Sequence, residues 1–291
     1  MTSATSKVQV RKAYAQDFEQ VYSSLLAAHD PRISKEDWHQ LFINHWHSTE
    51  DYYGYLLAAD GEIVGFLGTI FSRRKIRGQE YKFCNLSSWI VQPEHRRKSL
   101  FLLFPLLKLA DYTFTNLTAQ EHVAKIHREL GFTEMGSGAQ IILPLGGFSW
   151  GRPHKPELIF DPERIKDHLQ GDDIMIFNDH LAFKCSHILL EADHDYCYLI
   201  ASRLIKKRVP ILYVHYISNL PLFVKLIYQV IFKMLYHFKA VGLLVEDRFL
   251  EGLDLRWAIK YQLPHYKLFK SPALQAQDID NLYSERILLH Y

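Results

Sequence analysis

Cysteine and metal-binding motifs are scarce in this sequence. The three cysteines, Cys84, Cys185 and Cys197, are odd in number and lack the spacing of metal ligands, which favours reduced thiols in a cytoplasmic protein. No His-Glu-x-x-His or Cys-x-x-Cys motif occurs, and the sixteen histidines do not stand at ligand spacing. We therefore expect no metal site.

Signatures of nucleotide, nucleic-acid and membrane binding are also missing. Neither a Gly-x-Gly-x-x-Gly motif nor a Gly-Lys-Ser/Thr loop is present, which disfavours dinucleotide redox chemistry and NTP hydrolysis. The formal net charge is only +2, so general nucleic-acid binding is not expected. The N-terminus has no apolar signal segment, and the apolar run from Leu220 to Lys239 contains Lys225 and Lys233, which argues against a membrane span.

The most informative stretch runs from Asn85 to Leu109, NLSSWIVQPEHRRKSLFLLFPLLKL. Leu86 to Val91 has strand character, His95 to Lys98 form a basic turn, and an apolar helix is predicted from Ser99 to Ala110. A strand that splits from its neighbour and a helix start both leave main-chain N–H groups unpaired, and three adjacent cations suit a diphosphate. The alternative is a solvated basic turn that binds nothing.

Two halves of similar size are predicted. At 291 residues the chain is long for one domain, and Gly146-Gly147 and Gly151-Arg152-Pro153 mark a boundary between residues 1–148 and 149–291. The elements predicted for the first half are strand Val8–Arg11, helix Ala15–His29, a helix from Ser34, hairpins turning at Asp60-Gly61 and Arg77-Gly78, the helix from Ser99, strand Tyr112–Asn116, helix Ala119–Leu130 and strand Gln140–Leu143.

The second half is predicted to repeat that order in part. Its predicted elements are strands Leu181–Ser186, Tyr198–Leu204 and Pro210–Ile217, helix Leu220–Lys239, strand Val241–Val245, helix Leu253–Leu263 and strand Tyr283–His290. No cation follows Ile217 until Lys225, so we expect this half to have lost any anion site. Its expected role is to close over the first half and shape an acceptor pocket.

Residues 8 to 145 resemble the GNAT acyltransferase superfamily in the order of their elements and in three motifs. Val10-Arg11 with Asp17-Phe18 is similar to the opening strand and helix of the family. The run from Val91 to Ser99, VQPEHRRKS, is similar to the turn that holds the CoA pyrophosphate, and Ala124 to Phe132 resembles the helix that ends in Gly-Phe. Ser99 and Phe101 stand where the family has small residues.

The resemblance implies an α/β fold, with α+β mixed sheets, in which a GNAT-like N-terminal domain is followed by a second, diverged GNAT-like domain. It also implies that acetyl-CoA or another acyl-CoA is the cosubstrate. The residues expected to bind it are Ile90, Val91, Arg96, Arg97, Lys98, Ser99, Leu100 and Asn116. The acyl group would pass to an amine or hydroxyl of a small molecule, sugar or peptide, in a protein that is a monomer or a homodimer.

A proton donor and an acceptor site complete the expected chemistry. His127 matches the position of a family tyrosine that protonates the departing thiolate, although a histidine near a helix C-terminus also needs no catalytic role. A main-chain N–H near Ile90 or Val91 would stabilise the oxyanion.

Three polar residues precede that strand end. Asn85, Ser87 and Ser88 are expected to orient the acceptor, whereas Cys84 is either a nucleophile or a small buried hydrophobe. The alternative function is a non-catalytic ligand- or partner-binding protein that retains the fold.

Overall fold

The computed structural model describes residues 8–46, 48–145 and 156–289. Its strands are β1 Val8–Lys12, β2 Gly54–Ala59, β3 Glu62–Ile76, β4 Gln79–Val91, β5 Tyr112–Ala119, β6 Thr133–Glu134, β7 Gly138–Ile142, β8 Glu157–Ile159, β9 Ser186–Ala192, β10 Asp195–Lys206, β11 Val209–Ile217, β12 Leu243–Glu246, β13 Ala258–Gln262 and β14 Tyr266–Lys270. The α-helices are α1 Phe18–Val21, α2 Ala27–His29, α3 Lys35–His39, α4 Glu121–Glu129, α5 Pro162–His168, α6 Asp172–His180, α7 Leu220–His237 and α8 Glu285–Leu288.

Two mixed sheets of seven strands each organise the fold, as the α/β prediction requires. The first sheet has the order β1-β2-β3-β4-β5-β14-β6, and the second has the order β13-β7-β12-β11-β10-β9-β8. One apolar core joins the two halves, because Phe66 and Ile70 of β3 belong to the same cluster as Tyr198 and Ile200 of β10. Helix α7 lies in a second cluster with residues of β10, β11 and β12.

Each sheet contains one strand from the other half of the chain. Strand β7 pairs with β12 and β13 in the second sheet, whereas β14 pairs with β5 and β6 in the first. Leu268 of β14 faces Asn116 on one side and Glu134 on the other. The boundary predicted between residues 148 and 149 lies outside the described residues and stays a prediction, but a cut there would separate two strands from their sheets.

Both predicted hairpins are confirmed. Asp60 and Gly61 have φ values of 51° and 91°, and Arg77 and Gly78 have φ values of 51° and 80°. Two successive residues with positive φ form the tight turn whose twist matches that of antiparallel strands. The hairpins place the long strands β3 and β4 side by side and lead the chain toward the basic turn.

The helix predicted from Ser99 to Ala110 is wrong. The chain instead forms 3₁₀ turns at Pro93–Leu102 and Leu106–Lys108, in which Leu103 donates its N–H to Leu100 and Leu106 donates to Leu103. Pro105 has no N–H to donate to the carbonyl of Phe101, so an α-helical ladder cannot continue through this position. The basic residues His95 to Lys98 therefore lie within a 3₁₀ segment and do not precede the start of an α-helix.

Three predictions in the second half are also wrong. Residues 253–263 contain strand β13 in place of a helix, because β7 offers a free edge and residues 258–262 pair with it. Of the apolar side chains in this stretch, Leu253, Trp257 and Ile259 are exposed, whereas Leu263 is buried. The strand predicted at 181–186 begins only at Ser186. In place of the strand predicted at 283–290, residues 285–288 form α8, and the hydroxyl of Ser284 accepts a hydrogen bond from the N–H of Arg286. Residue 290 lies outside the described residues.

A buried polar cluster fixes the exchanged strand β14. Lys267 of β14 is 1% exposed, and its ammonium group forms an ion pair with Glu246 of β12. It also donates to the hydroxyl of Tyr213 at 3.0 Å and to Oδ1 of Asn281 at 2.6 Å. Arg248 donates to the second oxygen of Glu246 at 2.6 Å. The cluster thus ties both sheets to the C-terminal segment.

We predict that Lys267→Met destabilises the protein by about 3 kcal/mol, because it leaves buried Glu246 without one of its two cations. Urea unfolding at neutral pH measures this change in the free energy of unfolding. Lys260→Met removes an exposed lysine paired with Asp254 and serves as the matched control, with little expected change. Equal effects of the two substitutions would contradict the role given to the buried cluster.

Candidate functional site

The strands β4 and β5 separate within the first sheet. They pair in parallel from Lys82–Tyr112 to Asn85–Thr115, yet β4 continues to Val91 and β5 to Ala119 without further pairing between them. Main-chain groups on the facing edges beyond Asn85 therefore lack partners from the other strand. This opening, the β4–β5 cleft, is the strand split expected from the sequence.

A bulge in β4 shapes the cleft. Between the pairs Gly68–Ser87 and Phe66–Ile90, the two residues Ser88 and Trp89 of β4 stand opposite the single residue Leu67 of β3, so β4 has one extra residue here. Ser88 has a φ of 51°, a value that residues other than glycine seldom adopt. Bulges of this kind bend a strand and redirect its side chains, and they are common beside functional sites.

Two cavities lie along the cleft and share the side chain of Trp89. The first, the Asn116 cavity, has a volume of about 420 Å³ and is lined by Ser87, Ser88, Asn116 and Thr118, among others. The second, the Arg96 cavity, has a volume of about 530 Å³ and is lined by residues that include Ile90, Val91, Arg96 and Ser99. Seven of the residues predicted to bind ligands therefore line one of these two cavities.

Four other predicted residues line neither cavity. Arg97 and Leu100 are exposed, and Lys98 is half-buried. Asn85 is 1% exposed and donates from Nδ2 to Oγ1 of Thr115 at 3.0 Å, so its side chain fastens the last paired position of β4 and β5. Phe101 is 45% exposed and is not a lining residue, so its ring does not fill either cavity.

His127 lies inside the apolar core of the first sheet. It is fully buried, its Nδ1 is 2.9 Å from the carbonyl oxygen of Val123, and its ring packs against Phe132 and Trp89. Burial lowers the pKa of His127 below its ordinary value, which favours the neutral ring. It lines neither cavity. A catalytic role for His127 stays a prediction, and the contacts described here are those of a packed core residue.

Cys84 is equally enclosed. Its side chain is fully buried in the apolar cluster of the first sheet, and burial raises the pKa of the thiol well above its ordinary value. The thiolate is the nucleophilic form of cysteine. The environment of Cys84 therefore suits a small hydrophobic residue and disfavours a nucleophile.

Two charged residues that follow α2, Asp30 and Arg32, line the Asn116 cavity. Asp30 accepts hydrogen bonds from the side chain of Arg32 at 2.6 and 2.8 Å, which lowers the pKa of Asp30 to about 2. A carboxylate held in this way is a poor base near neutral pH. Asp30 and Arg32 can nevertheless orient a polar ligand, and His265 of the second half lines the same cavity.

Glu285, which no sequence motif indicated as a functional residue, lies behind the cleft. Its Oε1 accepts a hydrogen bond from the hydroxyl of Thr118 at 2.7 Å, and its main-chain N–H donates to Oδ1 of Asn85 at 3.3 Å. Glu285 is 1% exposed, and its Oε2 has no hydrogen-bond partner among the described residues. Burial raises the pKa of this carboxyl above its ordinary value. No local sequence pattern connects position 285 with position 118.

The second sheet has a cleft of its own. Strand β11 pairs with β12 only at Leu212–Leu243 and Tyr213–Leu244, and a cavity of about 640 Å³ lies beyond the split. Its charged lining residues are Asp173, Asp195, Glu251, Asp278 and Asp280, together with Arg77 and Arg248. Carboxylates thus outnumber cations, and the electrostatics disfavour a polyanion there.

Two further findings concern residues 8–46, 48–145 and 156–289. These residues contain no group of three or more histidine, cysteine, aspartate or glutamate side chains placed to hold a metal ion. Among the helices of the same residues, none is both long and apolar enough to cross a bilayer.

The model of the acetyltransferase (GNAT) family matches residues 12–100. No curated protein matches the chain. Among solved structures, a GCN5-related N-acetyltransferase from Anabaena variabilis is 13% identical with a TM-score of 0.57, over 90% of this chain and 72% of that chain.

Two further structures are similar over comparable lengths. A protein of unknown function from Enterococcus faecalis, described as a probable N-acyltransferase, is 12% identical with a TM-score of 0.59, over 93% of this chain and 74% of that chain. A GCN5-related N-acetyltransferase from Kribbella flavida is 13% identical with a TM-score of 0.56, over 91% and 71% of the two chains. At these identities the likeness concerns the fold.

We predict that His127→Phe makes the protein less sensitive to acid. Below about pH 6.5 the unfolded chain binds a proton at this position that the folded chain resists, so folding stability falls as the pH falls. Without the histidine, that loss should be smaller by up to about 1.4 kcal/mol per pH unit between pH 6.5 and 5.

Urea unfolding across this range measures the slope. His122→Phe, at an exposed position of the same helix, is the control for losing a histidine at the surface. An unchanged slope in His127→Phe would mean that the folded protein protonates His127.

Proposed function

We propose that the protein is an acyl-CoA-dependent acyltransferase whose reaction takes place in the β4–β5 cleft; the match of the acetyltransferase (GNAT) family model to residues 12–100 supports this. The observation that carries the proposal is the separation of β4 from β5 beyond Asn85–Thr115, with two adjoining cavities that share Trp89 among their lining residues. One cavity would receive the thioester and the other the acceptor. Acetyl-CoA or a longer acyl-CoA fits this assignment.

The thioester carbonyl needs a hydrogen-bond donor in the cleft. Gln92 donates its N–H to Val64 of β3, and N–H directions alternate along a strand, so the N–H of Val91 points away from β3 toward the cleft. A main-chain N–H in this place can stabilise the oxyanion that forms when the acceptor attacks the carbonyl carbon. Of the two expected donors, Ile90 and Val91, Val91 is therefore the one proposed.

The diphosphate of CoA would lie at the end of the Arg96 cavity. In the first 3₁₀ turn after Gln92, Pro93 has no N–H and His95 donates its N–H to Gln92, so the turn offers few main-chain donors. The assignment therefore depends on the charge of Arg96, which lines the cavity. Guanidinium groups form charge-assisted hydrogen bonds with phosphate oxygens. The acidic cavity of the second sheet offers no comparable site, which supports the assignment of the cofactor to the first sheet.

The acceptor would enter the Asn116 cavity. Hydroxyl, amide, carboxylate and guanidinium groups line this space, as Ser87, Asn116, Asp30 and Arg32 illustrate. Such a lining suits an amine or hydroxyl on a small molecule, a sugar or a peptide. His265 brings the second half of the chain to the same cavity, in keeping with a role of that half in shaping the acceptor pocket.

A direct experiment tests cofactor and acyl group together. Native mass spectrometry of the purified protein, with and without added acetyl-CoA and longer acyl-CoAs, should detect a one-to-one complex. Release of free thiol is then followed with spermidine, glucosamine, benzylamine and the dipeptide Ala-Ala as acceptors. A protein that binds no acyl-CoA at millimolar concentration would contradict the proposal, and one that binds acyl-CoA without any transfer would favour the non-catalytic alternative.

We predict that Arg96→Ala combined with Arg97→Ala weakens acyl-CoA binding by about tenfold or more, because the diphosphate loses charge-assisted hydrogen bonds and favourable charge. Calorimetric titration with acetyl-CoA measures the dissociation constant.

The matched control removes the same charge from the β10–β11 turn by Lys207→Asn and Arg208→Asn. Asn is chosen because both residues have positive φ, which it tolerates. Affinity should not change in the control. Equal weakening in both double variants would indicate a general charge effect and not a site at Arg96.

A further inference from the structure

Glu285 is placed where the two central strands of the first sheet begin to part. Asn85 of β4 and Thr118 of β5 both bond to it, the first through the main-chain N–H of Glu285 and the second through its carboxylate. The carboxylate is enclosed, since the residue is 1% exposed and Oε2 has no partner among the described residues. Leaving a buried carboxylate oxygen without a partner costs stability, so this arrangement is not explained by stability alone.

Thr118 connects Glu285 with the Asn116 cavity. It is half-buried, it lines that cavity, and its hydroxyl hydrogen is donated to Glu285 at 2.7 Å. Because the hydrogen points toward Glu285, the oxygen lone pairs remain available to accept a hydrogen bond from a ligand in the cavity. A ligand N–H can therefore reach the buried carboxylate through one intervening hydroxyl.

We propose that Thr118 and Glu285 form a proton relay that deprotonates an amine acceptor during acyl transfer. The proposal rests on the acyltransferase function proposed above and names both the base and the acceptor class. Thr118 would contact the substrate, whereas Glu285 acts through Thr118. Both residues lie outside the set that the sequence analysis predicted.

The step balances in atoms and electrons. The nitrogen lone pair of a neutral amine attacks the thioester carbonyl carbon, and the N–H proton moves to Oγ1 of Thr118 as the threonine proton moves to Oε1 of Glu285. The tetrahedral intermediate then collapses, the C–S bond electrons pass to sulfur, and CoA leaves as a thiolate. The proton held by Glu285 returns through Thr118 to that thiolate, so the products are an amide and CoA thiol.

The surroundings of Glu285 set its basicity. Burial raises the pKa of Glu285, whereas the hydrogen bond from Thr118 and the positive charges of Arg286 and Lys267 oppose that rise. Asn85 from β4 faces the helix with its amide oxygen and carries no charge. A carboxylate with a raised pKa is a stronger base than an exposed glutamate, as proton abstraction near neutral pH requires.

The substitutions Glu285→Gln and Thr118→Val test the relay, with Thr118→Ser as the conservative variant. Glu285→Gln retains the size, the main-chain bond to Asn85 and an oxygen acceptor for Thr118, but it cannot take up a proton. Thr118→Val retains the shape but removes the hydroxyl, and Thr118→Ser keeps the hydroxyl. Thiol release from acetyl-CoA is measured from pH 5.5 to 9 with spermidine, glucosamine, benzylamine and Ala-Ala, beside calorimetric binding of acetyl-CoA.

The expected result is a loss of about 100-fold in kcat for Glu285→Gln and for Thr118→Val, with acetyl-CoA affinity unchanged and activity retained in Thr118→Ser. The ratio of wild-type to Glu285→Gln rates should rise with pH through the titration of Glu285, because protonation of the amine itself cancels in this ratio. If Glu285→Gln does not fold, the contrast between Thr118→Val and Thr118→Ser decides the question.

Several results would overturn the relay. These are a full rate in Glu285→Gln or in Thr118→Val, a rate ratio that does not vary with pH, and a wild-type protein that binds acetyl-CoA but acylates none of the four amines. A wild-type protein that binds no acyl-CoA contradicts the proposed function itself, so the two failures are distinguishable.

Discussion

The exchange of one strand between the two sheets is the constraint on which the rest of the structure depends. Strand β14 completes the first sheet beside β5, and β7 completes the second beside β12, so neither half closes its own sheet. The ion pair between Lys267 and Glu246 holds the exchanged strand from within the core. Because a buried charge without its partner is costly, loss of either residue is expected to destabilise the docked C-terminal segment.

The same exchange builds the cleft from distant parts of the chain. Once β14 lies beside β5, the residues that follow it return to the point where β4 and β5 part. Glu285 then meets Thr118, although 167 positions separate them in sequence. The two clefts of the molecule have diverged in charge: Arg96 lines the first, whereas carboxylates dominate the second. The strands separate in a similar way in both sheets, but the charges that line the two clefts differ, and those of the second cleft disfavour a polyanion.

Sequence patterns predicted the parts that local chemistry determines. Asp60-Gly61 and Arg77-Gly78 determined two hairpins, and the apolar run from Leu220 predicted helix α7, one side of which packs in the second apolar cluster. Sequence patterns gave the wrong element where the partner is distant in sequence. Strand β13 forms in place of a predicted helix because it pairs with β7, and α8 forms beside Asn85 in place of a predicted strand. Of the predicted site, Ile90, Val91, Arg96 and Asn116 line cavities, but the role of Glu285 depends on a fold that no short motif describes.

The central claim is that the cleft of the first sheet, and not that of the second, receives the thioester. Hydrogen–deuterium exchange of the full chain with saturating acetyl-CoA distinguishes the two sites most directly. The account predicts slower exchange in peptides covering residues 86–103 and no change in peptides covering 214–222. Protection confined to 214–222, or none in either segment despite saturation, would contradict it.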